Sequence, residues 1–357
     1  MSGASGQRNL SRPSFALGRR VGRPAGNRWW IPSGFFCTSV LAVAGLLWGN
    51  ASPDVPNAAP HAAISSAAKP RVSSASAPAA PSAPSSEDLR QLLERMIATM
   101  HRSDAAAAEY ARTEHWVEHK HAGDADPILD RVYRVYPTGT GTLKLMMADA
   151  GAPVTPERYR DELHELEQGL VSALDPAEPL QHARVEKWKR RSAERFRAVE
   201  AFRDAYQITW LGVERVPNAP DPRPLAKLLF DPKPGPASGS IATELLAASR
   251  LTLWVEPESG AVVRLDAELV RDLRFGGGLL GKIDKGGRVH IEQTQVAPGI
   301  WLPRITADEV HGRKLLSHQE SARTVEARDF RHVGAPAELL SLVRREIGNA
   351  RIQVPAP

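Results

Sequence analysis

The sequence predicts an α+β domain built on an antiparallel sheet, preceded by an N-terminal export segment and a low-complexity spacer. Three observations lead to this prediction. Short segments that alternate apolar and polar residues, separated by turns rich in Gly and Pro, fill most of the chain after residue 205. Segments with apolar residues at three- and four-residue spacing precede and interrupt them. An apolar run near the N-terminus leads into a tract made almost entirely of Ala, Pro and Ser.

The export segment is an apolar run of 14 residues, Phe35–Trp48, behind a stretch with six arginines and no Lys, Asp or Glu. Fourteen residues fit a signal-peptide core, whereas about 20 are needed to span a bilayer as a helix. Counting from Trp29 reaches 20 residues. Residues 1–51 are therefore predicted to be a basic region with either a cleaved signal peptide or an inner-membrane anchor through residues 29–48. Both alternatives place the rest of the chain outside, in the periplasm or cell envelope, because the arginines stay inside.

The charge distribution excludes a nucleic-acid partner. The formal charge is +5, and the arginines of residues 1–50 contribute +6, so residues 51–357 sum to −1. The basic character thus belongs to targeting rather than to a phosphate-binding face. The single cysteine, Cys37, lies in the apolar run, so the exported part has no disulfide and no thiol chemistry.

The remaining chain divides into a spacer and one domain. Residues 52–86 cannot bury enough apolar surface to order themselves and are predicted to be a disordered, semi-extended linker. Residues 87–350 form the domain, with a charged helical segment at 156–203. We predict helices over 89–101, 156–172, 184–202 and 336–347. Strands are predicted at 110–119, 129–136, 142–146, 206–214, 226–231, 250–256, 262–270, 287–296, 301–310 and 315–330.

One catalytic motif is formally present. His115-Trp-Val-Glu-His119 matches the H-x-x-E-H signature of inverted zinc metallopeptidases, which needs both histidines on one helix face and Glu118 as base. The surrounding pattern predicts a strand, in which Glu118 points away from His115 and His119. The strand interpretation is favoured, and a zinc peptidase stays an alternative. The glycine-rich stretch Phe275–Gly281 lacks the strand-to-helix setting of a dinucleotide site, so we expect no cofactor.

Several stretches of the C-terminal half carry a family resemblance. They are Leu253-Trp-Val-Glu-Pro-Glu-Ser-Gly-Ala-Val-Val-Arg264, Asp272-Leu-Arg-Phe-Gly-Gly-Gly-Leu-Leu-Gly-Lys-Ile283, Glu292-Gln-Thr-Gln-Val296, Gly299-Ile-Trp-Leu-Pro303 and Asp329-Phe-Arg331. In this order they resemble uncharacterised exported bacterial proteins related to the outer-membrane lipoprotein-sorting (LolA/LolB-like) fold, over residues 105–332. The resemblance implies an antiparallel sheet curved into a half-barrel, helices across its open side, and a concave apolar face that takes acyl chains without catalysis.

Strand parity then predicts which side chains form that face. Leu253 and Val255 share one face of their strand, and Val263 and Leu265 share one face of the next. On the helix over 89–101, the apolar stripe includes the candidate lid residues Leu93, Met96 and Met100. The leading hypothesis is a noncatalytic envelope protein that binds a lipid or a lipoprotein acyl chain on this face. The alternative, besides the peptidase, is a membrane-anchored interaction or scaffold domain with a solid sheet; the sequence gives no oligomeric state.

Overall fold

The computed structural model describes residues 83–352, apart from residues 140, 176, 178, 201, 216–222, 235–240, 276–280, 315–316 and 335. The predicted export segment and nearly all of the predicted spacer lie outside these residues. In the described part of the chain, no helix combines the length and the hydropathy needed to cross a membrane.

The described residues form thirteen strands and six helices. The helices are α1 Ser86–Ala107, α2 Pro156–Leu174, α3 Pro179–Glu200, α4 Phe202–Ala205, α5 Ile241–Ala247 and α6 Pro336–Ile352. The first strands are β1 Tyr110–His119, β2 Leu129–Pro137, β3 Thr142–Asp149, β4 Ala152–Pro153, β5 Tyr206–Glu214, β6 Leu225–Pro232 and β7 Ser249–Val255. The others are β8 Val262–Leu269, β9 Leu273–Phe275, β10 Gly281–Ile283, β11 Arg288–Ala297, β12 Ile300–Lys314 and β13 Ser317–His332.

All strands belong to one antiparallel sheet, which confirms the α+β class. Its order is β4-β3-β2-β1-β13-β12-β11-β8-β7-β6-β5, and the β9–β10 hairpin joins it through β12. The first long strand therefore pairs with the last, at the middle of the sheet, in a register that sets Tyr110 opposite His332. Neighbours in sequence pair on either side of this junction because tight turns join them.

Helix α1 begins at the predicted cap and runs further than predicted. The Ser85 side chain accepts a hydrogen bond from the Asp88 N–H, and the Asp88 carboxylate accepts one from the Ser85 N–H, which forms a capping box. The helix thus includes Ser86, the last residue of the predicted linker. The helix passes the predicted end near His101 because an Ala-rich stretch extends it to Ala107, and Ala has the highest helix propensity.

The two faces of the sheet are covered by different helices. We call the face beneath α1 the inner face and the opposite one the outer face. On the inner face, side chains of β6, β7, β8 and β11 pack with α1 and α5 in one apolar cluster. On the outer face of β1, β2 and β3, the apolar stripes of α2 and α6 pack in a second cluster. The apolar faces of the strands predicted from the sequence are thus covered by helices.

Several short elements were not predicted, among them β4, α5, β9 and β10. Helix α5 is seven residues long, too short for its periodicity to stand out, yet Leu245 and Leu246 are buried in the inner-face cluster. The strands β9 and β10 flank the glycine-rich stretch as a short hairpin, with Phe275 opposite Gly281. Three-residue strands are too short to show a repeat of two.

Candidate functional site

The apolar part of the inner face contains six of the seven side chains predicted to bind ligand. Leu93, Met96 and Met100 of α1 and Leu253, Val255 and Leu265 of β7 and β8 lie in a single cluster. Each is buried, with at most 8% of its surface exposed. The lid residues and the sheet residues therefore lie in one packed cluster. In this structure, however, α1 itself packs on the face that the hypothesis assigns to ligand.

The seventh residue, Val263, was placed on the wrong face. Pairing between β7 and β8 sets Val255 opposite Val262 and Trp254 opposite Arg264, so Val263 is an extra residue in a bulge. Val262 consequently points to the inner face and is buried, whereas Val263 packs against Trp254 on the outer face. Strand parity predicted the reverse because it assumes an unbroken alternation.

Helix α1 is held on the inner face by close packing and by two hydrogen bonds to distant segments. The Thr99 hydroxyl donates to the Ser259 carbonyl oxygen at 2.6 Å, and the Ser103 hydroxyl accepts from the Trp301 N–H at 3.0 Å. Gly260, in the β7–β8 turn, approaches the helix so closely that a Cβ there would lie 2.4 Å from the Arg95 carbonyl carbon. The turn residue is glycine because its φ is +69° and because no side chain fits against the helix.

The same inner face continues into a buried charged cluster. Residues paired directly across neighbouring strands lie on the same face of the sheet. Ile291 of the apolar part pairs with Thr306, Thr306 pairs with Val325, and Val325 pairs with Trp116. Around this tryptophan, β1, β3, β12 and β13 bring together two carboxylates and three cations. We call the group the Trp116 cluster; its members are Arg112, Glu114, Trp116, Lys144, Asp308 and Arg323.

Glu114 is the centre of one half of the Trp116 cluster. Its carboxylate accepts hydrogen bonds from Arg112 Nε at 2.7 Å and from the Trp116 indole N–H at 2.8 Å. Lys144 Nζ lies 3.4 Å from the same carboxylate and 3.5 Å from the centre of the indole ring, which is a cation–π contact. Burial would raise the pKa of Glu114, but the two cations and the indole outweigh it and hold this pKa at about 2. Burial lowers the pKa of Lys144 despite the carboxylate.

Asp308 and Arg323 form the other half. Both guanidinium contacts, from Nε at 3.2 Å and from Nη2 at 2.6 Å, go to Asp308 Oδ1. Asp308 Oδ2 is buried and has no hydrogen-bond partner among the described residues. Burial raises the pKa of Asp308 and outweighs the Arg323 charge. Arg323 Cζ also lies 5.5 Å from the centre of the Trp116 ring, so the indole contacts two cations, Arg323 of β13 and Lys144 of β3. The Trp116 cluster carries a formal charge of +1 when all five groups are ionised.

Sequence reasoning missed this cluster because β1 and β3 lie far along the chain from β12 and β13. The one local signal was in β1, where Arg112, Glu114 and Trp116 alternate and so share a face. Nothing in the sequence placed Lys144, Asp308 and Arg323 beside them.

The metallopeptidase arrangement is not formed. The H-x-x-E-H segment is strand β1, as the pattern favoured. His115 Nε2 lies 2.7 Å from Asp130 Oδ1 on the outer face, while Glu118 accepts a hydrogen bond from the Ser321 hydroxyl and pairs in register with inner-face Arg323. Among the described residues, no three His, Cys, Asp or Glu side chains are arranged to hold a metal ion. The helix that this alternative requires is absent from β1.

Comparisons with known proteins give a weak structural similarity. No protein-family model matches the chain, and no curated protein matches it. Among solved structures, the complex of Pseudomonas aeruginosa MucA/MucB is 10% identical, covers 68% of this chain and 94% of that chain, and has a TM-score of 0.19. The structure of MucB in complex with MucA(peri) is also 10% identical, covers 69% and 97% of the two chains, and has a TM-score of 0.18. The chain thus has a weak structural similarity to MucB and belongs to no family that sequence comparison identifies.

Proposed function

We propose that this chain is a noncatalytic protein of the bacterial cell envelope that binds an amphiphilic lipid on the inner face of its sheet. The supporting observation is that one face of one sheet carries both an apolar area, covered by α5 and by α1 with its two buried methionines, and the charged Trp116 cluster beside it. An acyl chain would replace α1 on the apolar area, and a polar headgroup would lie against the Trp116 cluster. The predicted export segment and the resemblance to lipoprotein carriers are consistent with such a ligand.

The free-energy cost of displacing α1 decides which lipids can bind on the inner face. Exposing Leu92, Leu93, Met96 and Met100, all buried in the cluster, costs about 6–12 kcal/mol at about 1.5–3 kcal/mol for each side chain. A bound acyl chain returns about 0.8 kcal/mol per methylene, so about 14 methylenes return about 11 kcal/mol and six return only about 5 kcal/mol. The proposal therefore requires long-chain lipids and excludes short-chain ones.

A reversible lock on α1 tests the proposal. In a Cys37→Ser background, Thr99→Cys and Ser259→Cys place two thiols where α1 contacts the β7–β8 turn. We expect the reduced full-length protein to retain long-chain lipid on native mass spectrometry after incubation with vesicles, and the oxidised protein to retain none. Reduction of the locked sample restores binding and serves as the control. Equal lipid content in both states, or no retained lipid in the reduced state, would refute the proposal.

A second candidate function, an interaction domain, is favoured by the two edges of the sheet. One edge is β4, which is two residues long and ends in Pro153, so it cannot pair further. The other edge is the nine-residue β5, where Leu211 and Val213 are 48% and 40% exposed. An edge without charges over residues 206–213 suits the addition of an extended segment of a partner protein.

Lysine substitutions at that edge separate the two functions. If partners add a strand to β5, then Leu211→Lys with Val213→Lys should abolish the products obtained by crosslinking in membranes and leave the lipid content unchanged. If crosslinked products persist in the lysine variant, strand addition at β5 is wrong.

A further inference from the structure

We infer that α3 docks on an anionic membrane surface, a second contact that holds the domain against the bilayer. One stripe of the helix is used for packing within the domain. Val185, Trp188 and Phe196 are half-buried and Ser192 is buried, at spacing that places them on one side of the helix. The Phe196 ring stacks on His101 of α1 at 3.9 Å between centroids, with an interplanar angle of 11°. Helix α3 also contacts α4 and α5.

The rest of α3 is strongly basic. Residues 179–200 contain seven Lys and Arg and three Glu, a net charge of +4. Four of the cations, Lys187, Lys189, Arg190 and Arg197, have exposed side chains, and we call them the basic face of α3. The Lys189 side chain pairs with Glu186 at 2.9 Å, whereas the side chains of Lys187 and Arg190 make no ion pair or hydrogen bond with another described residue. Two central cations of the face thus have no charge partner within the described part of the chain.

The charge contrast with the remaining exported chain points to an anionic partner. Residues 51–357 sum to −1, so without the +4 of α3 they carry −5. Helix α3 therefore has the highest net positive charge among the described helices. A cluster of this size near a bilayer is the feature that binds anionic lipid headgroups, since each Lys or Arg strengthens the attraction about fivefold.

The alternative in which residues 29–48 remain as a membrane anchor makes a lipid surface the occupant. A flexible spacer of 35 residues has a root-mean-square span of about 35 Å, and a proline-rich one reaches further. A domain on such a tether samples the bilayer at an effective concentration in about the millimolar range. The inference rests on the envelope location in the proposed function and on the anchor alternative for residues 29–48, and it is independent of whether lipid occupies the inner face.

The experiment uses the full chain in vesicles and a label on α3. In a Cys37→Ser background, Ala183→Cys places an environment-sensitive fluorophore on an exposed position of the helix, one turn before Lys187. Flotation with vesicles of phosphatidylcholine alone tests the anchor. Shielding of the label from aqueous iodide tests docking, with and without added phosphatidylglycerol. We expect shielding only with phosphatidylglycerol and its loss at high salt, because exposed charges are screened.

Matched charge variants give the specificity. Lys187→Gln, Lys189→Gln and Arg190→Gln keep the helix propensity and should lower the ratio of docked to undocked helix about 100-fold. The control variant removes the same number of positive charges from exposed positions outside α3, with Lys285→Gln, Arg288→Gln and Arg345→Gln. This variant should keep the shielding of the label.

Two outcomes overturn the inference. One is a label that stays equally accessible to iodide in both lipid compositions, and the other is a control triple variant that loses shielding as fully as the α3 variant. A chain that floats only with phosphatidylglycerol vesicles and shields its label supports docking while refuting the anchor. Failure of the α1 lock experiment bears on the inner-face ligand alone.

Discussion

Replacement of Gly260 by alanine should loosen α1 from the sheet. The new Cβ would lie 2.4 Å from the Arg95 carbonyl carbon and 2.5 Å from the Met96 nitrogen, and both are backbone atoms of α1 that no rotamer change can move. The positive φ of +69° costs about 1–2 kcal/mol for a residue with a Cβ. Overpacking against the helix adds about 1–3 kcal/mol, so the free energy of unfolding should fall by about 2–5 kcal/mol in total.

Gly286→Ala is the matched control for this prediction. Gly286 also has a positive φ, +93°, but a Cβ there would meet nothing within 4 Å. This control should therefore lose only the backbone part, about 1–2 kcal/mol. Urea unfolding measures both losses, and hydrogen exchange over residues 86–107 reports whether α1 opens. If both variants lose the same free energy and α1 exchanges as slowly as in the unchanged protein, the close approach at Gly260 has no energetic consequence and the reasoning is refuted.

Three further predictions concern buried charge and the β8 bulge. Arg323→Met should cost about 3–5 kcal/mol on urea unfolding because it leaves the Asp308 carboxylate buried without its cation, whereas the double variant with Asp308→Leu should lose much less; equal losses would contradict this account. The pKa of Glu114 is lowered from 4.5 to about 2, so its contribution to stability is present above pH 4.5 and is lost as the pH falls towards 2; in Glu114→Gln this part of the pH dependence of unfolding should disappear. Val262→Lys should lower the free energy of unfolding by several kcal/mol, because it buries a charge on the inner face. Val263→Lys should lower it by less than about 1 kcal/mol, since its long side chain can reach solvent from the outer face. If thermal unfolding shows the larger loss for Val263→Lys, the bulge is wrong and β8 alternates without interruption.

Local pattern was sufficient to predict most elements of this fold. The strands Tyr110–His119 and Tyr206–Glu214 have the bounds that alternation and flanking turns predicted. Thr155 caps α2 and Pro156 begins it, as the cap rule predicted. These features depend on neighbours within a few residues, and for them the sequence carries the information directly.

What could not be predicted depends on pairing between distant segments. The bulge at Val263 is set by how β8 pairs with β7, and one inserted residue reverses the parity of what precedes it. Asp308 and Arg323 looked like ordinary polar strand residues until the register set them opposite each other beneath Trp116. Burial of charge is a property of the assembled sheet, so no window of sequence reports it.

The pairing of β1 with β13 bears on the order in which the protein folds. Strands β5 to β8 and β11 to β13 are joined by short or moderate connections, so their pairings close early. Strand β1 is the first strand in the sequence, yet the β13 residues that it pairs with lie more than 200 positions further along the chain. Tyr110 pairs with His332, and Glu114 pairs with Ala327. We expect this long-range closure to be the slow step of folding. Until it forms, the β1–β3 hairpins and β13 each present an open edge, which is where the folding chain is most open to pairing with another chain.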